Sequence, residues 1–174
     1  MANLTTAENG MRCEVTREEI RRAQVPHNLF ISGLFVLDLF MTPAIVVLNA
    51  GMSGLLIPLL CSSLLIGYIF RRSRKTTSWF VDAHWRLTFN NSRWLMLGYA
   101  VSALLIFVAW LISQAAHEAS MQHILWLALT RVALVPTLIA VIVTAVMEAN
   151  AIGLANNCGV PDGLAGEGPP RSEA

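Results

Sequence analysis

The stretch LFMTPAIVVLNAGMSGLLIPLLCSSLLIGYIF, residues 39–70, contains no charged side chain. A helix rising 1.5 Å per residue crosses a hydrocarbon core of about 30 Å in about 20 residues, so this run is too long for one span and must fold back. Asn49-Ala50-Gly51-Met52-Ser53-Gly54 supplies the turn: glycines are free to take positive φ, and short polar side chains bond nearby backbone. The reading is helix one at 28–49 and helix two at 54–70. Residues 94–116 form a second uncharged run, helix three, and residues 124–147, apolar except for Arg131, form helix four with a kink at Pro136.

The expected fold class is all-α, an integral membrane four-helix bundle with two tight outer turns and a longer inner connection at 71–93. It divides into a segment 1–27 carrying a short amphipathic helix, the membrane domain 28–157, and a Gly-, Pro- and acid-rich tail, 158–174, expected to be disordered. Composition agrees. Of the 174 residues 55% are hydrophobic and 13% charged, about half the usual charge supply of a soluble domain. Such a mixture would leave large apolar patches facing water. It is also too apolar for a disordered chain, and three cysteines are too few for a disulfide scaffold.

The net charge of +1 conceals an uneven distribution. All 12 lysines and arginines except Arg131 fall before helix one, between helices two and three, or after helix four; the turns at 49–54 and 114–123 have none. The positive-inside rule places that side, with both termini, in the cytoplasm of a bacterial inner membrane. Acids interleaved with the early arginines (Glu8, Glu14, Glu18, Glu19) exclude a cleavable leader, so helix one is expected to stay as an anchor. Cys13 and Cys158 then face a reducing compartment and Cys61 the bilayer, and no disulfide is expected.

Thr16-Arg17-Glu18-Glu19 has capping-box spacing, Glu18 can pair with Arg22, and Pro26 is expected to end this short first helix. In the inner connection, Arg71, Arg72, Arg74 and Lys75 form a basic cluster suited to anionic lipid head groups. Asp82, Arg86, Asn90 and Arg93 then recur at helical spacing, with Phe80, Val81, Trp85, Leu87 and Phe89 mostly off that stripe. The expectation is a short helix lying in the interface, with Trp79 and Trp85 at head-group depth and Arg86 and Arg93 reaching phosphate.

The same segment, Phe80-Val81-Asp82-x-His84-x-Arg86 with Asn90 after it, resembles the motif that introduces the third helix in a family of uncharacterised small four-helix bacterial membrane proteins. That family is distantly related to the small membrane subunit of the chloroplast inner-envelope import translocon. The resemblance spans about residues 50–160 and implies the order of two helices, motif, two helices, then an Ala/Asn and Gly segment such as Ala155-Asn156 with Gly159. The chain departs from the pattern at Trp85 and lacks the Tyr-x-Tyr-Pro ending. His84 is the motif histidine, and no chemistry comes with it.

Two charges stand inside the spans. Asp38 lies about 11 residues from the outer end of helix one and Arg131 about 7 from that of helix four, a depth difference of roughly 6 Å that an arginine can reach across. Each costs several kcal/mol alone in hydrocarbon, so the expectation is an ion pair fixing helix one against helix four. A titratable Asp38 in an ion path, or pairing with a separate subunit, are the alternatives. Ala133, Thr137, Ala140 and Thr144 form a small-residue stripe for close helix packing, on a face other than that of Arg131. The outer turn gathers His117, Glu118, Met121 and His123, residue types that bind metal or haem, in a spacing that matches no strong motif.

No phosphate loop, zinc-protease motif or serine nucleophile signature is present; Ser62-Ser63 is expected to bond backbone. The basic loop is too short and aromatic to favour nucleic acid over lipid. The chain therefore reads as a non-enzyme without cofactor, in contact with membrane lipids, acting as an accessory, scaffold or assembly subunit in a homo-oligomer or larger complex. A small oligomeric transporter or channel subunit using Asp38 is the alternative, and an outer metal or haem site at His117 and His123 the second.

Overall fold

The first rod departs from its expected boundaries at once, because Pro26 does not end the helix. In the computed structural model, which describes residues 15–48, 51–75 and 77–160, α1 runs Arg17–Gly33 through Pro26, continues as a π-helical turn over Leu34–Met41, and ends as α2, Thr42–Val47. Proline removes one intrahelical hydrogen bond. At position 26 the loss is offset by burial, since Ala23, Pro26, His27 and Phe30 all pack inward. The capping box forms: Thr16 Oγ1 accepts from the Glu19 amide at 3.2 Å, and Glu19 Oε2 from the Thr16 amide at 3.0 Å. The π turn precedes Pro43, which has no amide hydrogen to give the Leu39 carbonyl, and Thr42 Oγ1 donates to the Leu37 carbonyl at 3.0 Å.

The other rods are also longer than expected. α3 spans Gly51–Ser73, so the turn is tighter than 49–54, with Asn49 and Ala50 outside the described residues. α4 spans Trp79–Gln114 without a break. The interfacial helix and helix three are therefore one helix, and no separate amphipathic helix lies between the second and third rods. The last rod is α5, Ala119–Ala133, and α6, Val135–Asn156, interrupted at Leu134. Pro136 acts upstream, as expected of a ring that disturbs the preceding residues and carries no amide hydrogen. Among the described residues there is no strand, and four helices are long and apolar enough to cross a membrane. The segments 1–14 and 161–174, including the expected disordered tail, lie outside the described residues.

α4 is the hub and touches every other rod, with α1 packed against both α4 and α6. The packed core is concentrated toward one end: Phe30, Leu34, Ile66, Ile69, Val81, Trp85, Leu95 and Val141 form one cluster, and Ala23, Phe80 and Ala155 a second, smaller one. That end also brings the start of α1, the α3–α4 connection and the end of α6 together. Ser78 Oγ donates to Glu19 Oε1 at 2.6 Å, and Gln24 Nε2 to Asn156 Oδ1 at 2.5 Å. Elsewhere the surface is apolar and open, with Phe40, Leu64, Leu104, Phe107, Trp110 and Ile139 all exposed, on helices that are long and apolar enough to cross a membrane.

Cys158 is disulfide-bonded while Cys61 is free and exposed, which corrects the expectation of no disulfide. Close approach of two sulfurs, which spacing along the chain does not report, makes the bond possible, and the redox poise of the compartment decides whether it persists.

Candidate functional site

Two polar sites are built inside the bundle. The first surrounds Asp38, on the π-helical turn. Its Oδ2 accepts from Ser62 Oγ of α3 at 3.2 Å, and its Oδ1 accepts the hydroxyl of Tyr99 of α4. Beside it is a cavity of about 160 Å³, lined by all four rods: Asp38, Leu59, Tyr99, Ala103, Leu134 and Thr137 are among its walls. Arg131 is not part of it. That side chain is exposed and, among the described residues, has no hydrogen-bonded or ionic partner, so the expected Asp38–Arg131 pair is not formed. Depth along two helices was compatible with the pair; facing was not, because Arg131 points off the bundle while Asp38 points at α3 and α4.

The small-residue stripe turns inward instead. Thr137 Oγ1 donates to Ser102 Oγ at 2.8 Å, and Ser102 Oγ accepts the Thr137 amide at 3.2 Å. A Cβ added at Gly98 would stand 2.5 Å from the Ala140 Cβ. Ala133 and Thr144 are buried, the latter donating to the Ala140 carbonyl at 2.6 Å. Ala133, Thr137, Ala140 and Thr144 thus seat the last rod against α4.

The second site was not anticipated. His27 of α1, His84 and Thr88 of α4, and Glu148 of α6 are fully buried, with Asn91 nearly so. His27 Nδ1 lies 2.5 Å from Glu148 Oε2 and 2.8 Å from Thr88 Oγ1, His27 Nε2 lies 3.0 Å from His84 Nδ1, and Asn91 Nδ2 donates to Glu148 Oε1 at 2.8 Å. The edge contact between the Phe80 ring and the His84 imidazole, and the T-shaped contact of the two histidine rings, close the site. A carboxylate on Nδ1 fixes that nitrogen as a donor. His27 Nε2 and His84 Nδ1 then share one proton between them. A buried carboxylate held by a histidine and an amide is satisfied, not orphaned. Its sequence signals were His84 in the motif and Glu148, the sole acid between Glu118 and Asp162, one residue past the expected end of helix four.

The motif Phe80-Val81-Asp82-x-His84 is therefore core. Phe80, Val81, Asp82, His84 and Trp85 are all buried, and Asp82 Oδ2 accepts the Thr77 amide at 2.8 Å at the start of α4. This corrects the assignment of Trp85 to the lipid interface: its ring is in the core, with the Arg72 guanidinium 5.3 Å above it. Arg72 also donates to Thr77 Oγ1 at 2.8 Å, while Arg71, Arg74, Lys75 and Arg93 are exposed and Trp79 and Arg86 half-buried. At the opposite end His117 and Glu118 are exposed on the turn, and His123 lines a shallow cavity with Trp110 and Trp126. Among the described residues no three His, Cys, Asp or Glu side chains gather as a metal site would need.

No family model matches the chain, and neither does any curated protein or solved structure.

Proposed function

We propose that the chain is a non-enzymatic, multi-pass inner-membrane protein that acts as an assembly or accessory subunit, with its basic end and both termini cytoplasmic. The observation that carries this reading is Arg131, an exposed arginine with no partner among the described residues, on a rod apolar enough to span a bilayer. A charge on a lipid-facing surface is expensive and is stabilised by an acidic group on a neighbouring helix. Among the described residues Asp38 is committed elsewhere, and on this reading the counter-charge comes from another subunit, either a second copy or a different membrane protein. The motif around Asp82 and His84 fits membership of the four-helix bacterial family named above, and the basic residues Arg71, Arg74 and Lys75 fit contact with anionic lipid.

The test is purification in mild detergent with stoichiometry determined for whatever co-elutes. Wild-type protein should elute as a defined oligomer or complex, and Arg131→Leu as a folded single chain. A wild-type chain that runs alone, or a complex unchanged by Arg131→Leu, removes the proposal.

The Asp38 cavity favours a second reading, a small oligomeric transporter or channel subunit. Here Asp38→Asn should abolish cation-dependent flux in proteoliposomes at unchanged expression; flux equal to wild type excludes it.

A further inference from the structure

Asp38 is a half-buried acid to which the described residues offer hydroxyl partners and no cation. Both carboxylate oxygens accept hydroxyl hydrogen bonds, from Ser62 and Tyr99, an arrangement that suits the ionised form. Hydroxyls donate hydrogen bonds but bring no positive charge, and no lysine, arginine or histidine forms an ion pair with Asp38 among the described residues. A half-buried carboxylate in apolar surroundings is stabilised either by taking up a proton or by a neighbouring cation, and only the second makes use of the space beside it. The room for one is adjacent, in the cavity of about 160 Å³ that Asp38 itself lines.

The rest of that cavity says what kind of cation fits. Most of its walls are apolar, Leu56, Leu59, Ile106 and Leu134 among them, with the Tyr99 ring beside the carboxylate and the hydroxyl-bearing Thr42, Ser102 and Thr137 completing the lining. A hydrated metal ion gains nothing from such walls, whereas an apolar body does. Dry apolar cavities of roughly 150 Å³ accept benzene, so the space suits a single ring. An aromatic ring near the acid adds attraction for an ammonium. The π-helical turn carrying Asp38, a geometry frequent at functional sites, sets the carboxylate at this wall.

We propose that the cavity between the four rods binds a small organic cation, an ammonium bearing an apolar body of about one ring, with Asp38 as its counter-charge. This rests on the second reading of function only for the site; binding at equilibrium does not require flux, and the two are measured separately.

The test is equilibrium dialysis of the full chain in nanodiscs against radiolabelled benzyltrimethylammonium. Wild type should bind saturably, one cation per chain. Asp38→Asn should weaken binding at least tenfold, and Ala103→Phe, which fills the cavity and leaves the carboxylate in place, should do the same while eluting as wild type does. The uncharged tert-butylbenzene should not compete. Absence of saturable binding to wild type, equal affinity in either folded variant, or Asp38-dependent binding of sodium in place of the ammonium overturns the proposal. Binding without flux in proteoliposomes leaves it standing and removes transport alone.

Discussion

Glu148 Oε2 stands 2.5 Å from His27 Nδ1, joining the first rod to the last across 121 positions of sequence, with both side chains fully buried. His84 extends the contact to α4 at 3.0 Å, so one polar cluster clamps three of the four rods at the end where the core is densest. Removing one member leaves the others buried and unpaired, which is the costly case; replacing the whole pair by apolar residues of similar size is often tolerated.

His27→Leu or Glu148→Leu alone should each lower stability by about 3–5 kcal/mol, while the double variant recovers a large part of the loss. Reversible unfolding in mixed micelles measures all four corners of the cycle. Additive losses would show that the two side chains do not act as a unit.

Gly98→Val should separate α4 from the last rod. Even a Cβ at this position meets the Ala140 Cβ at 2.5 Å, and the valine methyls add to the overlap. Overpacking of this kind costs about 1–3 kcal/mol, and Ala140→Gly in the same chain should restore part of it. Thermal denaturation followed by circular dichroism gives both numbers.

Thr16→Ala removes the cap oxygen that accepts from the Glu19 amide. The cost should be about 1 kcal/mol, confined to the first turn of α1. Hydrogen exchange of amides 17–20 should speed up, with amides beyond Pro26 unchanged.

Single-tryptophan variants separate the lipid-facing rings from the packed ones. Trp94 and Trp110 are exposed, 54% and 46%, whereas Trp85 is 4% exposed beneath Arg72. Brominated lipids should therefore quench Trp94 and Trp110 strongly and Trp85 little. Strong quenching of Trp85 by head-group-depth bromine would favour an interfacial ring over a core one.

The helical architecture was legible because its cause is compositional: long uncharged runs cannot be anything but apolar helices, and residues 39–70 force a hairpin whatever their packing. Boundaries were less legible. Polar residues such as His27 and His84 were placed outside the spans, in the first segment and the inner connection, yet in three dimensions their rings meet and the helices continue through them. The sites divided along the same line. Asp38 stood out as a charge in an apolar run, but its partners, Ser62 and Tyr99, are ordinary residues whose role depends on which face meets which. Glu148 hid because it follows the apolar run by one position, and Arg131, given an internal partner by depth alone, turns outward.

α4 has a mechanical consequence. As one unbroken helix of 36 residues it is a rod of about 54 Å, far longer than the roughly 30 Å of hydrocarbon. A tilt of about 10° displaces one end by about 9 Å relative to the other. Tyr99 and His84 ride on this single lever, at two different heights. In a bilayer crossed by α4, thinning or thickening around one end of the helix would tilt the whole rod and so move the histidine contact at the other end.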